Sequence, residues 1–158
     1  MPNITPFLWF DHQAEEAANF YTSVFKNSKV GAATRYSEAG PGPVGSVMTI
    51  EFTLDGQPFT ALNGGPHFTF NEAVSFVVHC EDQAEVDRLW TQLTAGGKEV
   101  QCGWLKDKFG LSWQIVPKRF LELMMDPDPA RKGRVMKAMF QMKKLDLPTL
   151  EAAYRTES

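Results

Sequence analysis

Cysteine is scarce: Cys80 and Cys102 are the two cysteines in 158 residues. Two isolated cysteines exclude a disulfide scaffold and a four-ligand zinc site, leave room for one bridge at most, and make the reducing cytoplasm the expected compartment. Long apolar runs are also missing, since none approaches the roughly 18 residues of a membrane span. There is no excess of basic residues. The net charge is −3, so no field argues for nucleic acid or an anionic membrane as partner. The start, Met1-Pro2-Asn3-Ile4, has no basic segment followed by an apolar stretch, and no secretory leader is expected from it. What is present is an ordinary globular mixture, 43% hydrophobic and 22% charged. The length suits one domain with a real core.

Patterning divides the chain into two halves and a tail. Ile4 to Phe10 is a short apolar run and reads as a buried strand. Asp11 is placed to cap a helix whose Ala14, Ala17, Ala18, Tyr21 and Val24 share one face. Val30 to Tyr36 reads as a strand. Ser46 to Leu54 alternates, with Met48, Ile50, Phe52 and Leu54 on one side and Thr49, Glu51 and Thr53 on the other. Asp55-Gly56 is a hairpin signal, Pro58 to Leu62 is the return strand, and Asn63-Gly64-Gly65-Pro66 closes it. The order then repeats. Ala73 to Cys80 is a strand. Asp82 and Glu85 form a variant capping box ahead of the stripe Val86, Leu89, Trp90 and Leu93. Gly96-Gly97 stops that helix. Strands follow over Val100–Leu105 and Leu111–Val116, around a turn at Asp107 to Gly110. The expected class is therefore α+β, one domain over 1–158, with module one at about 4–64 and module two at about 73–117.

The tail, 118–158, reads as helices. Phe120 to Met125 is short. Asp128-Pro129 is a cap and first-turn proline. Val135, Met136, Met139 and Phe140 face one side of a longer helix, which Leu147-Pro148 breaks before a last helix over Thr149 to Arg155. This basic, Met-rich segment reads as packed on its own domain or on a second subunit. A membrane-surface helix and a contact surface for another protein are the alternatives.

Phe7-Leu-Trp-Phe-Asp11 with Ala14-Glu-Glu-Ala-Ala-Asn-Phe-Tyr21 resembles the opening of vicinal oxygen chelate proteins. Ala61-Leu-Asn-Gly-Gly-Pro-His67 and Cys102-Gly-Trp-Leu-Lys-Asp-Lys-Phe-Gly-Leu-Ser-Trp-Gln-Ile-Val-Pro117 resemble the PhnB-like branch, whose domains carry the label 3-demethylubiquinone-9 3-methyltransferase. The resemblance implies two βαβββ modules forming a curved mixed sheet around a cavity, with helices outside, and in many members a homodimer. It also implies four strand positions where metal-dependent members hold His, Glu or Gln. Here Ile4–Phe10 and Gln57–Leu62 offer no His or carboxylate, and Ser75 and Gln114 stand at the other two positions. That set falls short of the three His or carboxylate ligands of a catalytic divalent site, so no metal and no cofactor are expected. His12, His67 and His79 are far apart in sequence and read as separate structural or surface residues. Gly40-Pro-Gly42-Pro-Val-Gly45 fits G-x-G-x-x-G in form only. Its prolines lack N–H donors, and a strand rather than a helix follows. No methyl-donor loop stands out elsewhere.

Strand parity names the cavity residues. Phe7 and Trp9 share a face of the first strand. Ser75, Val77 and His79 share one on the fifth, and Ser112, Gln114 and Val116 on the eighth. Asn63 and Trp104 lie at their margins. An apolar, aromatic lining with a few polar groups is how small-molecule sites are built. Phe7, Trp9, Asn63, Ser75, His79, Trp104, Ser112 and Gln114 are thus the candidate ligand contacts. Glu51 is the candidate acid or base, because a carboxylate on an enclosed face has a raised pKa. The chain is expected to bind a small molecule without a metal, probing neither nucleic acid nor membrane, and to pair as a homodimer. The alternative is a divalent-metal-dependent lyase, transferase or dioxygenase acting on a small oxygenated substrate.

Overall fold

A computed structural model describes residues 3–156. Two compact units divide between Phe70 and Asn71. Unit one runs β1(Phe7–Phe10), α1(Ala14–Val24), β2(Lys29–Arg35), β3(Val47–Leu54) and β4(Gln57–Asn63). Unit two runs β5(Ser75–Cys80), α2(Gln83–Thr94), β6(Lys98–Glu99), β7(Trp104–Lys106) and β8(Ser112–Pro117), followed by α3(Lys118–Met124), α4(Pro129–Met139) and α5(Leu147–Arg155). Each unit thus holds a βαβββ module, and each module builds its own four-stranded sheet, ordered β1-β4-β3-β2 and β5-β8-β7-β6. In both, the first strand lies parallel to the last and the remaining pairs are antiparallel.

Alternation decides which face of each sheet is buried. In module one, Leu8, Phe10, Ile50, Phe52, Leu54, Phe59 and Ala61 are buried, as is the α1 stripe of Ala14, Ala17, Ala18, Tyr21 and Val24. The small alanines let the helix approach the sheet closely, and Tyr21 stacks on Phe52. Asp55 and Gly56 both take positive φ, 48° and 81°, the left-handed pair that a two-residue hairpin requires. In module two, the buried residues Leu105, Trp113 and Ile115 accompany the stripe Val86, Leu89, Trp90 and Leu93.

Local capping differs between the two helices. Asp82 caps α2 as expected, accepting from the Glu85 N–H at 2.9 Å. Asp11 does not cap α1. Gln13 occupies the N-cap position without a side-chain bond, and Asn63 Oδ1 accepts the Ala14 N–H at 2.8 Å. The cap arrives from the end of β4, 49 residues away in sequence, which no local motif could reveal. The strand expected over Val100–Leu105 is also interrupted. Cys102 and Gly103 adopt positive φ, 60° and 84°, so a turn separates β6 from β7.

The tail packs on its own unit. Leu123, Val135, Leu145 and Leu150 form a buried cluster with Val116 of β8. Backbone N–H groups of Cys102 and Gly103 donate to the Met142 and Lys143 carbonyls at 2.8 and 2.7 Å. Gln83 of α2 donates to the Leu145 carbonyl and accepts from the Leu147 N–H. Of the helical face expected for burial, Val135 is inside, whereas Met136 and Phe140 are exposed. Pro148 does not break a long helix. It lies in the first turn of α5, where a missing N–H costs no hydrogen bond.

Candidate functional site

The face of the module-two sheet turned away from α2 gathers most of the residues singled out there. Register places Ser75 opposite Ser112, Val77 opposite Gln114 and His79 opposite Val116. Trp104 pairs with Gln114 and Lys106 with Ser112. Period-two alternation then sets Ser75, Val77, His79, Trp104, Lys106, Ser112 and Gln114 on one side. Gln114 Nε2 donates to Ser75 Oγ at 2.9 Å. That bond leaves the serine O–H and the amide carbonyl to serve other partners. Ser112 is fully buried, and its hydroxyl finds no protein partner. Lys106 is ion-paired with Glu72 and half-exposed. That pair holds the Glu72 carboxyl below the usual carboxylate range, first through the Lys106 hydrogen bond. Val77 stays 42% exposed, an apolar floor beside the polar pair.

At the nearby hairpin, Asp107 is a turn anchor. Its carboxylate accepts from the Phe109 and Leu111 N–H groups and from Trp113 Nε1, at 2.9, 3.1 and 2.9 Å. Three bonds account for a carboxylate that is 2% exposed, and Trp113 faces α2 as parity required. Burial pushes the Cys80 thiol up to about 12, with Glu85 adding to it, so this sulfur is no nucleophile at neutral pH. Cys102 is the other free thiol.

On the module-one sheet, the side away from α1 carries Phe7 and Trp9 of β1, Thr60 and Leu62 of β4, and Thr49, Glu51 and Thr53 of β3 in matching rows. Phe7 is 59% exposed. Glu51 is exposed as well; the enclosure on which its acid–base role was argued is not found at this position. Trp9 Nε1 donates to the Gly65 carbonyl at 2.9 Å, and Phe68 meets the indole edge-on. Gly64 lies so close to this ring that a Cβ there would stand 2.3 Å from it.

Asn63 belongs elsewhere. Besides capping α1, its Nδ2 donates to the Val47 carbonyl at 3.1 Å, and its own carbonyl accepts from the Tyr36 hydroxyl. It thereby ties three segments together at the end of the sheet. A cavity of about 450 Å³ opens there, and Asp11, His12, Tyr36, Pro43, Asn63 and His67 are among its lining residues. His12 and His67, far apart in sequence, both line this cavity, which sequence periodicity does not reveal. Its walls are loops, which follow no periodicity; the single hint was a tyrosine followed by glycines. Gly40 and Gly42 pack against Tyr36, where Cβ atoms would lie 2.7 and 2.4 Å from the ring. The Gly40–Gly45 motif thus packs a tyrosine and joins two antiparallel strands. No helix begins at it, so it lacks the aimed N–H groups of a phosphate loop.

The donor set does not fit a divalent cation. Among the described residues no three His, Cys, Asp or Glu side chains gather to hold one. At the two strand positions that survive, a hydroxyl and an amide bond to each other instead.

Comparison with known proteins agrees with this geometry. The family model described as 3-demethylubiquinone-9 3-methyltransferase matches residues 2–116. The chain belongs to this PhnB-like family. The PhnB protein of Bacillus cereus is 40% identical, with 73% of this chain and 99% of that one covered and a TM-score of 0.67. Protein PA1353 of Pseudomonas aeruginosa shares 19% identity over 75% and 98% of the two chains, with a TM-score of 0.62. The fosfomycin resistance protein FosX of Mesorhizobium loti shares 12% over 73% and 90%, with a TM-score of 0.54. The last two share the fold alone, the vicinal oxygen chelate fold. Among proteins of curated function, none matches the sequence. The match ends at residue 116, and α3 to α5 lie outside the matched residues.

Proposed function

We propose that this PhnB-like protein binds a small oxygen-bearing molecule directly through side chains, with no metal between. The observation that carries the reading is the Gln114–Ser75 pair on a sheet face that also holds Trp104 and the exposed Val77. The pair offers one O–H donor and one amide acceptor beside apolar and aromatic surface, the usual composition of a ligand site. Ser112 and His79 extend that face. Phe7 and Trp9 are the contacts offered by the module-one sheet, where Glu51 stands as an exposed carboxylate. Asn63 lines and braces the loop cavity of module one instead of the sheet face.

The exposed Phe7 and Val77 also support a homodimer, in which a second copy covers apolar surface that a monomer leaves bare. Two free thiols suit a reducing compartment such as the cytoplasm. No described helix is long and apolar enough to cross a membrane.

Thermal unfolding against a library of small aromatic carbonyl compounds and acids tests the binding reading. A ligand at about a hundred times its Kd adds about 2.7 kcal/mol, and Gln114→Ala is expected to remove most of that gain. The reading is overturned if no compound raises Tm, if Gln114→Ala leaves the gain intact, or if the gain requires an added divalent ion. The last result would favour the metal-dependent alternative.

A further inference from the structure

The loop cavity of module one has a chemistry that the sheet faces lack. Its volume, about 450 Å³, falls in the range of small-ligand pockets. Its walls are braced at several points. Tyr36 N–H and the Gly45 N–H close the 36–46 loop onto itself through the Ser46 and Tyr36 carbonyls, both at 2.9 Å. The Tyr36 hydroxyl ties that loop to β4, and Asn63 Nδ2 ties β4 to the start of β3. Trp9 holds the Gly65 carbonyl. A cavity held open by its own scaffold loses little conformational freedom on binding.

The polar groups of these walls are mostly acceptors. The Gly64 and Gly65 N–H groups are already spent on the Phe10 and Asp11 carbonyls, at 2.8 and 3.1 Å. Pro41, Pro43 and Pro66 have no N–H to give. Asp11 is the one formally charged residue among those lining the cavity. His12 Nδ1 lies 3.5 Å from its carboxylate, and His67 adds a second imidazole. An anion would meet a carboxylate there. A cation finds that carboxylate and the acceptor nitrogen that each unprotonated imidazole carries. The positive end of the α1 dipole is nearby, but it amounts to about half a charge. Asn63 caps it, and Glu15 and Glu16 stand in its first turn. Arg35 sits outside the wall, with its guanidinium on the Gly45 carbonyl at 3.0 Å.

We propose that this cavity is a second binding site, for a small organic ammonium ion with a compact apolar body. The ammonium group pairs with the Asp11 carboxylate beside His12, with His67 and the prolines among the surrounding wall residues. The site shares none of its residues with the Ser75–Gln114 face, so either reading can fail alone.

Imidazole NMR tests the site. Benzylamine, cyclohexylamine and phenethylamine are titrated against the intact protein, with benzyl alcohol and benzoate as size-matched controls. The amines are expected to shift the His12 and His67 ring signals saturably, with Kd on the order of 1 mM for ligands of this size. His79 is expected to stay still. Asp11→Asn, with an unchanged Tm, is expected to weaken amine binding about tenfold, the scale of one charged hydrogen bond. The proposal is overturned by no saturable shift with any amine, by alcohol or benzoate binding as tightly, by shifts confined to His79, or by amine affinity unchanged in Asp11→Asn.

Discussion

Asn63 shows how much one side chain can organise. Its amide accepts the first α1 N–H and donates to Val47, and its carbonyl takes the Tyr36 hydroxyl. Asn63→Ala removes a helix cap and strands a backbone carbonyl, a loss of about 1–3 kcal/mol. Asn63→Asp keeps the cap acceptor but loses the donor, and is expected to fall between wild type and alanine in urea unfolding. The two thiols form a second residue-scale contrast. Cys80 is buried and its thiol is raised to about 12. Ellman's reagent at pH 8 is expected to react with Cys102 in the folded protein and with Cys80 only after denaturant is added.

At the scale of elements, the tail is the clearest case. Val116, Leu123, Val135, Leu145 and Leu150 share one cluster, and Leu145 is 1% exposed. Leu145→Ala is expected to cost about 2–5 kcal/mol, read by denaturant unfolding. Acid should loosen the same elements. Asp126 is held below the ordinary 3.8 first by the Tyr154 hydroxyl and then by the Asp128 N–H. Asp87 is lowered by Lys144 and then Gln83. Both pKa values are depressed on folding, so their contribution is full above the ordinary value and is lost as pH falls below it. Amide exchange in α5 is expected to quicken, relative to intrinsic rates, as pH drops below about 4.

These elements also show which features the sequence reveals. The helices declared themselves because burial on one side imposes a period near 3.6, and β3 because burial on one side imposes a period of two. Parity was enough to group Ser75 with His79 and Ser112 with Gln114, whereas the place of Trp104 beside Gln114 came from the strand register. The β6–β7 turn was hidden because Cys102, not a glycine, opens its left-handed pair. The α1 cap was hidden because its partner is distant in sequence. The loop cavity was hidden because its coherence lies in long-range bonds from Tyr36, Asn63 and Trp9, and no spacing rule relates residues 9, 36 and 63.

The whole molecule is two repeats of one topology with an addition at one end. The repetition lies in strand order and pairing, and the residues at matching places differ: Phe7 and Trp9 lie on β1 where Ser75 and Val77 lie on β5. Duplicated scaffolds tolerate such divergence because alternation, not identity, holds a sheet together. If a second copy covers the exposed Phe7, light scattering is expected to give the mass of two chains. Phe7→Lys is then expected to return that of one while leaving the far-UV spectrum unchanged.

The parallel pairing of first and last strand has a consequence for synthesis. β1 leaves the ribosome before its partner and stays unpaired until β4, which ends at Asn63, has followed it. Until then its hydrophobic residues are exposed to whatever chaperone is at hand. Module one can then close as a unit while module two is still being made. β5 waits in the same way for β8, and the nascent chain is most vulnerable twice, once before each module's last strand arrives.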